Sequence, residues 1–293
     1  MSKRAQGKGL PFVKMQGLGN DFVLMDDREG KIRERISCAD LAKKLCDRHF
    51  GIGGDGIILA GKSEDHDIEF IIFNSDGSEA QMCGNGMRCF AKFLYERQLL
   101  PGNRFRVATK AGTIAPEVLV DEKNRVVSVK VDMGPPVLKP EQVPFVPSAP
   151  CEIAAEQRIE LENEQVTATM VSMGNPHAVI FTDDLSSVDV EKTGRAVENH
   201  PQFPEKTNVE FIEKVNDHEL KMRVWERGVG ITLACGTGAC ASLVAAALTG
   251  RTGTRAVLHL DGGDLEIFWD RESTGHVFKT GPAVQVFEGE IGI

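Results

Sequence analysis

The sequence predicts an α/β chain of the α+β type, built from two pseudo-symmetric halves. Each half is a curled, mostly antiparallel sheet around a central helix, with the active site in the cleft between them. Three observations lead there. First, a cysteine motif occurs twice, as Met82-Cys83-Gly84-Asn85-Gly86 and as Ala234-Cys235-Gly236-Thr237-Gly238, each followed at once by an apolar helical run. Second, other polar positions repeat in the same order: Gly19-Asn20 as Gly174-Asn175, Asp55 as Asn208 and Asn74 as Glu226, each about 152 to 155 residues further on. A period that long duplicates a domain rather than a solenoid unit. Third, short apolar runs bounded by turn residues surround each cysteine motif, the pattern of strands.

In the first half, Phe12 to Met15 reads as a strand that breaks at Gly17-Leu18-Gly19-Asn20-Asp21, and Phe22 to Met25 as the next. From Ser37 to Phe50 the apolar positions Ala39, Leu41, Ala42 and Leu45 recur at helical spacing. The glycine-rich loop Gly51-Ile52-Gly53-Gly54-Asp55-Gly56 follows a helix and precedes a strand, Ile57 to Leu59. That order is the reverse of a dinucleotide fingerprint, which is therefore rejected. Ile68 to Phe73 is a strand ending in the turn Asn74-Ser75-Asp76-Gly77, and Gly86 to Leu99 a helix stopped by Pro101-Gly102. Phe105 to Ala108, Gly112 to Val120 and Arg125 to Val131 read as an antiparallel meander, and the prolines from Pro135 to Pro150 as the linker.

The second half repeats the plan. Strands near Val166 to Ser172 and Ala178 to Phe181 flank Met173-Gly174-Asn175-Pro176-His177, a helix spans Val190 to Asn199, and strands Val209 to Glu213 and Glu219 to Trp225 lead to Glu226-Arg227. Gly236 to Leu248 is almost wholly small and apolar, which marks a helix buried on all sides. Val277 to Thr280 and Val284 to Phe287 are terminal strands, the last returning to the first half. The predicted halves are residues 1–131 with 282–293, and 132–281.

With 293 residues and a net charge of −9, the chain has room for two domains but lacks the positive field a nucleic-acid partner requires. The basic stretch from Lys3 to Lys8 reads as a disordered leader, since no signal-peptide apolar run follows it, and no later run would span a bilayer. Seven cysteines are an odd number for a disulfide framework and point to thiols in a reducing compartment, so a cytoplasmic protein with no membrane partner is expected. The spacings of Cys83 to Cys89 and Cys235 to Cys240 do not match zinc-ligand pairs, and no histidine cluster completes a set.

Each glycine-flanked cysteine is predicted to sit at a helix N-terminus, where exposed N–H groups and the helix dipole favour a thiolate. Cys38, Cys46, Cys89, Cys151 and Cys240 lie on apolar faces and read as small buried hydrophobes. Asn20, Asn74, Asn175 and Asn208 fall at or beside strand ends. Any one alone would be a turn residue, but at repeated positions they read as amides lining a cleft that binds ammonium and carboxylate groups. Glu226-Arg227 supplies both charges that an amino acid requires, nine residues before Cys235 as Asn74 lies before Cys83.

With these motifs in order, the chain resembles the diaminopimelate epimerases of the cofactor-independent amino-acid racemase superfamily. The matching segments are Gly17-Leu18-Gly19-Asn20-Asp21-Phe22, Phe73 to Glu79, Met82 to Cys89, Met173 to His177, Glu226-Arg227-Gly228 and Ala234 to Ala239. Related proline racemases carry histidine where this sequence has Asn85, and the isomerase-like relatives of phenazine synthesis lack the paired cysteines. The resemblance implies interconversion of LL- and meso-diaminopimelate in lysine biosynthesis, no cofactor or metal, and a homodimer. By position, Cys83 and Cys235 would be catalytic. Asn20, Asn74, Asn175, Asn208, Glu226 and Arg227 would bind substrate, and the amides around Gly84-Asn85 and Gly236-Thr237 would hold the reacting carboxylate. Gly56 departs from the glutamine that many members carry there.

The chemistry expected of such a pair is removal of an α-proton by a thiolate and its replacement from a thiol on the opposite face. A racemase of another amino acid on the same scaffold, or a binding protein that does not turn over, are the rival readings. Retention of both thiols argues against binding alone.

Overall fold

The structure, a computed structural model, describes residues 9–162 and 164–292, so the basic stretch from Lys3 to Lys8 lies outside the described residues. The chain divides into two compact units, Met1–Val131 with Pro282–Ile293, and Asp132–Gly281.

The first unit opens with β1 (Leu10–Gly17), β2 (Asn20–Asp26), α1 (Cys38–Cys46), β3 (Gly56–Gly61), β4 (Ile68–Asn74), α2 (Gly84–Glu96), β5 (Val107–Thr109) and β6 (Gly112–Ile114). The C-terminal strand Val284–Ile291 pairs antiparallel with β1, so the first unit's sheet begins with the last strand of the chain and runs on through β1 to β6 in sequence order. Leu18 and Gly19 both have positive φ in the tight β1–β2 turn, the geometry that lets two twisted strands meet over two residues. β2 and β3 are parallel with α1 as the crossover, and β4 and β5 are parallel with α2 as theirs. Neighbours β3–β4 and β5–β6 are antiparallel. β7 (Glu117–Val120) and β8 (Val126–Asp132) close the unit as a hairpin.

Two helices end earlier than the apolar pattern suggests. α1 stops at Cys46 because the Asp47 carboxylate accepts from the N–H groups of His49 and Phe50, an Asx turn that offers the backbone an alternative to another helical turn. α2 stops at Glu96, where Gln98 takes φ of 53° and the Leu99 N–H turns back to the Leu94 carbonyl. The run Gly112 to Val120 is broken at Pro116, which separates β6 from β7.

The second unit repeats the order. β9 (Gln157–Glu160), β10 (Gln165–Ser172) and β11 (Pro176–Thr182) precede α3 (Val190–Glu198). β12 (Asn208–Asn216), β13 (Glu219–Glu226), β14 (Gly230–Thr232), α4 (Gly236–Leu248), β15 (Arg255–Leu260), β16 (Gly263–Trp269) and β17 (Val277–Gly281) follow. From β17 the strands run in the order β16, β15, β13, β12, β11, β10, β9, with β14 on β13; the remaining strand, Val284–Ile291, is β18. The parallel pairs are again those with helical crossovers, β11–β12 across α3 and β13–β15 across α4. The fold is thus mixed α/β with two sheets, largely antiparallel.

α2 and α4 are the central helices of their units. Every residue of α2 from Asn85 to Leu94 is buried, and so is every residue of α4 from Gly238 to Ala246, the latter by virtue of its small side chains. The proline-rich segment is not a linker. Val143 and Phe145 are buried in the second unit's core with Met170, Ile180 and Phe211, and Val137 pairs with Ser172. Proline there shapes a strap whose apolar side chains complete the core, and composition alone does not register those chains.

Candidate active site

Both cysteines of the repeated motif are helix N-caps. Cys83 has extended dihedrals (φ −138°, ψ 118°) and its sulfur accepts from the Gly86 N–H at 3.4 Å, while Cys235 (φ −116°, ψ 111°) accepts from the Gly238 N–H at 3.4 Å. Sulfur thus takes the role usually filled by a serine or aspartate oxygen. The glycine three residues on sits close against its neighbours: a Cβ at Gly86 would lie 2.9 Å from Ile58 Cδ1, and one at Gly238 would lie 2.5 Å from Glu210 Oε1.

Around Cys83 the first unit arranges amides. Asn20 Nδ2 donates to Asp55 Oδ2 at 2.7 Å, which directs Asn20 Oδ1 at the cysteine; the Cys83 thiol donates to it at 3.5 Å and Asn85 Nδ2 at 3.4 Å. Asn85 Oδ1 accepts in turn from Arg88 NH1 at 2.9 Å, and Arg88 Nε donates to the Pro282 carbonyl. Asp55 also accepts from the Asp21 N–H and from Arg48, which bridges it to Asp21; Asp21 further pairs with Lys14 at 2.6 Å. Burial would raise the Asp21 carboxyl, but the hydrogen bonds and charges of Arg48 and Lys14 outweigh it and hold it down at about 2. Asn74 caps its own turn, donating through Nδ2 to Ser78 Oγ at 2.9 Å. At Gly56 a Cβ would lie 2.5 Å from the Phe73 carbonyl oxygen, so β3 has no room for a glutamine.

The second unit surrounds Cys235 with ionisable groups. Thr237 Oγ1 lies 3.5 Å from the sulfur, and Glu226, bonded by the Thr232 hydroxyl, is also within hydrogen-bonding reach of the thiol. His177 and Glu210 are wholly buried, with Nδ1 and Oε1 2.7 Å apart, and His177 Nε2 lies 3.1 Å from Asn175 Oδ1. His177, Glu210 and Cys235 bring a ring nitrogen, a carboxylate oxygen and the sulfur within 4.8 Å of one another, a grouping not visible in cysteine spacing because strands β11 and β12 supply two of its members. Asn208 spends one amide hydrogen on the Pro176 carbonyl and accepts the Arg227 N–H, leaving one donor unused among the described residues; Arg227 NH1 donates to the Glu205 carbonyl. Glu198 fixes this turn by accepting from Trp225 Nε1 and the Gly228 N–H.

One expectation is corrected here. Helix position alone favours a thiolate, yet Cys235 is pushed well above the usual thiol range. Burial is the largest cause, followed by the charges of Glu226 and Glu210, against smaller opposing effects of Thr237 and the Gly238 N–H. Glu226 is itself raised, chiefly by burial. Among the other cysteines, burial pushes Cys46 and Cys89 up to about 12, as expected of inert packing residues.

Asp55, Arg48, His177, Glu210 and Glu198 were not singled out as site residues from sequence. Asp55 was visible as the repeat partner of Asn208, and His177 stands in the Asn175 segment. Glu210 left a weaker trace, a lone acid in the apolar run from Val209 to Ile212.

The family model described as diaminopimelate epimerase matches residues 12–139 and 169–286. The chain belongs to the diaminopimelate epimerase family. Relatives in the family include the diaminopimelate epimerase of Desulforapulum autotrophicum, 56% identical over 97% of this chain and 99% of that protein. That of Heliobacterium modesticaldum is 48% identical over 96% and 99%. The diaminopimelate epimerase family fold is shared by more distant solved structures. A phenazine biosynthesis protein of Bacillus anthracis (TM-score 0.68, 18% identity) covers 98% of this chain and 100% of its own. A hydroxyproline epimerase of Agrobacterium vitis with bound trans-4-hydroxy-L-proline (TM-score 0.66, 14% identity) covers 98% and 93%.

Proposed function

We propose that this chain interconverts LL- and meso-2,6-diaminopimelate without pyridoxal phosphate, as an isomerase of lysine biosynthesis. The observation that carries the reading is the duplicated N-cap: each unit presents one cysteine sulfur, in the same backbone conformation, at the start of its central helix. Nearly full-length similarity to proteins named diaminopimelate epimerase supports the substrate.

In this reading the units 1–131 with 282–293 and 132–281 each contribute half of one site, and Cys83 and Cys235 act on opposite faces of one α-carbon. One sulfur, as thiolate, takes the α-proton while the other, as thiol, delivers a proton; the reverse reaction exchanges the roles. The amides at Gly84-Asn85 and Gly236-Thr237 stabilise the charge that builds on the α-carboxylate, because helix N-termini offer fixed donors. Asn20, Asn74, Asn175, Asn208, Glu226 and Arg227 bind the substrate's ammonium and carboxylate groups. The free donor of Asn208 and the remaining guanidinium hydrogens of Arg227 are suited to this.

We place the enzyme in the cytoplasm, a reading supported by its thiol chemistry; no helix among the described residues is long and apolar enough to cross a membrane. A homodimer is supported by the edge strand β18, whose Val284, Val286 and Phe287 are exposed. The deciding experiment supplies diaminopimelate, proline and glutamate in parallel in deuterated water. Deuterium entering the α-position of diaminopimelate alone supports the assignment; exchange confined to another amino acid, or to none, replaces it with one of the rival readings.

A further inference from the structure

Glu210 is a wholly buried carboxylate in the middle of β12, and its surroundings are unusual for a structural acid. Oε1 lies 2.7 Å from His177 Nδ1, but Oε2 has no hydrogen-bond partner among the described residues. Leaving a buried carboxylate oxygen unbonded is costly. The carboxylate lies directly beneath the first turn of α4, against Gly238, where helix dipole and exposed N–H groups create positive potential. The sulfur of Cys235 lies within 4.8 Å of a ring nitrogen of His177 and a carboxylate oxygen of Glu210.

We propose that Glu210 is a positioning residue that keeps Cys235 protonated in the resting enzyme, ready to act as the proton donor, while its hydrogen bond holds the His177 ring. The groups facing Cys235 come from several strands around the start of α4. β13 supplies Glu226, β12 Glu210, β11 His177 and β17 the buried Lys279, whose ammonium lies against Gly236; α4 itself adds the Thr237 hydroxyl and the Gly238 N–H. Lys279 and the helix N–H groups favour thiolate, and the two carboxylates favour thiol. Glu210 tips this balance because its charge sits at the same helix turn that would otherwise stabilise the thiolate. The carboxylate cancels the helix dipole where it would act on the sulfur. The contact between Glu210 and Nδ1 of His177 fixes the ring whose Nε2 meets Asn175 Oδ1.

The donor role rests on the proposed function, but the charge effect does not. The test therefore reads ionisation without substrate. The ultraviolet thiolate absorbance of the enzyme minus that of its Cys235→Ala variant is titrated against pH, with Glu210 and with Glu210→Gln. Glutamine keeps the acceptor oxygen for His177 and removes only the charge. The Cys235 midpoint should fall by about one pH unit or more, roughly tenfold more thiolate at a given pH below it. An unchanged or raised midpoint overturns the proposal, as a merely structural Glu210 would leave it in place. Should Glu210→Gln fail to fold, Glu210→Asp, which draws the charge back by one methylene, serves instead, with the Cys235 midpoint read by iodoacetamide labelling of its peptide and mass spectrometry. A midpoint below that of the unaltered enzyme supports the proposal, and an unchanged or raised one contradicts it. Loss of epimerase activity with an unshifted midpoint would spare the functional reading and sink this one.

Discussion

The backbone N–H of Gly238 points at the sulfur of Cys235 from 3.4 Å, and the Gly86 N–H points at the sulfur of Cys83 from the same distance. Two cysteines about 150 residues apart thus hold one conformation in two units, and local sequence explains it. In both motifs a glycine three residues after the cysteine lets the helix start close against its neighbours.

Replacing either sulfur should therefore remove epimerisation. Cys83→Ala and Cys235→Ala are each expected to lose at least about a thousandfold in kcat while circular dichroism stays unchanged, because neither thiol can both take and deliver the proton. Cys89→Ala and Cys240→Ala should keep most activity, since both are buried core residues of the central helices, away from the N-caps. Steady-state rates of the four variants decide it.

Asp55→Ala should lower kcat/KM by about 10 to 100-fold with a small change in stability. Its carboxylate is what directs the Asn20 amide toward Cys83, and losing that direction misplaces a group at the reacting centre. Unchanged kcat/KM would show that Asn20 holds its orientation without Asp55.

The sequence made the repeat, the helix cores and most strands legible because those depend on local periodicity and turn chemistry. Phe145 and Val143 show what local pattern misses: their burial depends on a sheet far away in sequence, so a proline-rich strap read as a linker. The interplay at Cys235 was hidden for the same reason. The N-cap position was readable from Cys-Gly-Thr-Gly, but Glu210 and His177 reach the sulfur only through strand pairing of β11 with β12, where His177 stands opposite Asn208. Helix stops at Cys46 and Glu96 turned on Asp47 and Gln98, single residues that an apolar period does not weigh.

Asp21→Asn should destabilise the protein by about 2 to 4 kcal/mol at neutral pH, since it leaves the buried Lys14 without its charge partner. The sign follows from the depressed carboxyl. Its stabilisation is present above the unfolded value and is lost as pH falls toward about 2, so the gap between the two proteins should close on acidification. Urea unfolding at several pH values measures it; a gap that widens in acid contradicts the ion-pair account.

Gly56→Gln should cost about 1 to 3 kcal/mol, because the side chain would begin against the Phe73 carbonyl. Thermal unfolding of the variant checks this, and unaltered stability would mean that β3 shifts easily.

Lysine, which lacks the distal carboxylate, should be racemised far more slowly than diaminopimelate, since it offers no carboxylate to the remaining guanidinium hydrogens of Arg227, a loss of about 1 to 3 kcal/mol. Comparable rates would end the role assigned to Arg227.

The central claim is that two sulfurs share one α-carbon, and isotope transfer in the first turnover tests it most directly. LL-diaminopimelate carrying ordinary hydrogen is mixed with enzyme in deuterated water and quenched early. The account predicts meso product with solvent deuterium at the inverted centre and recovered LL isomer with its α-hydrogen intact, because the donor and acceptor are different groups. Product that retains the substrate's own hydrogen would place both transfers on one group and contradict the account.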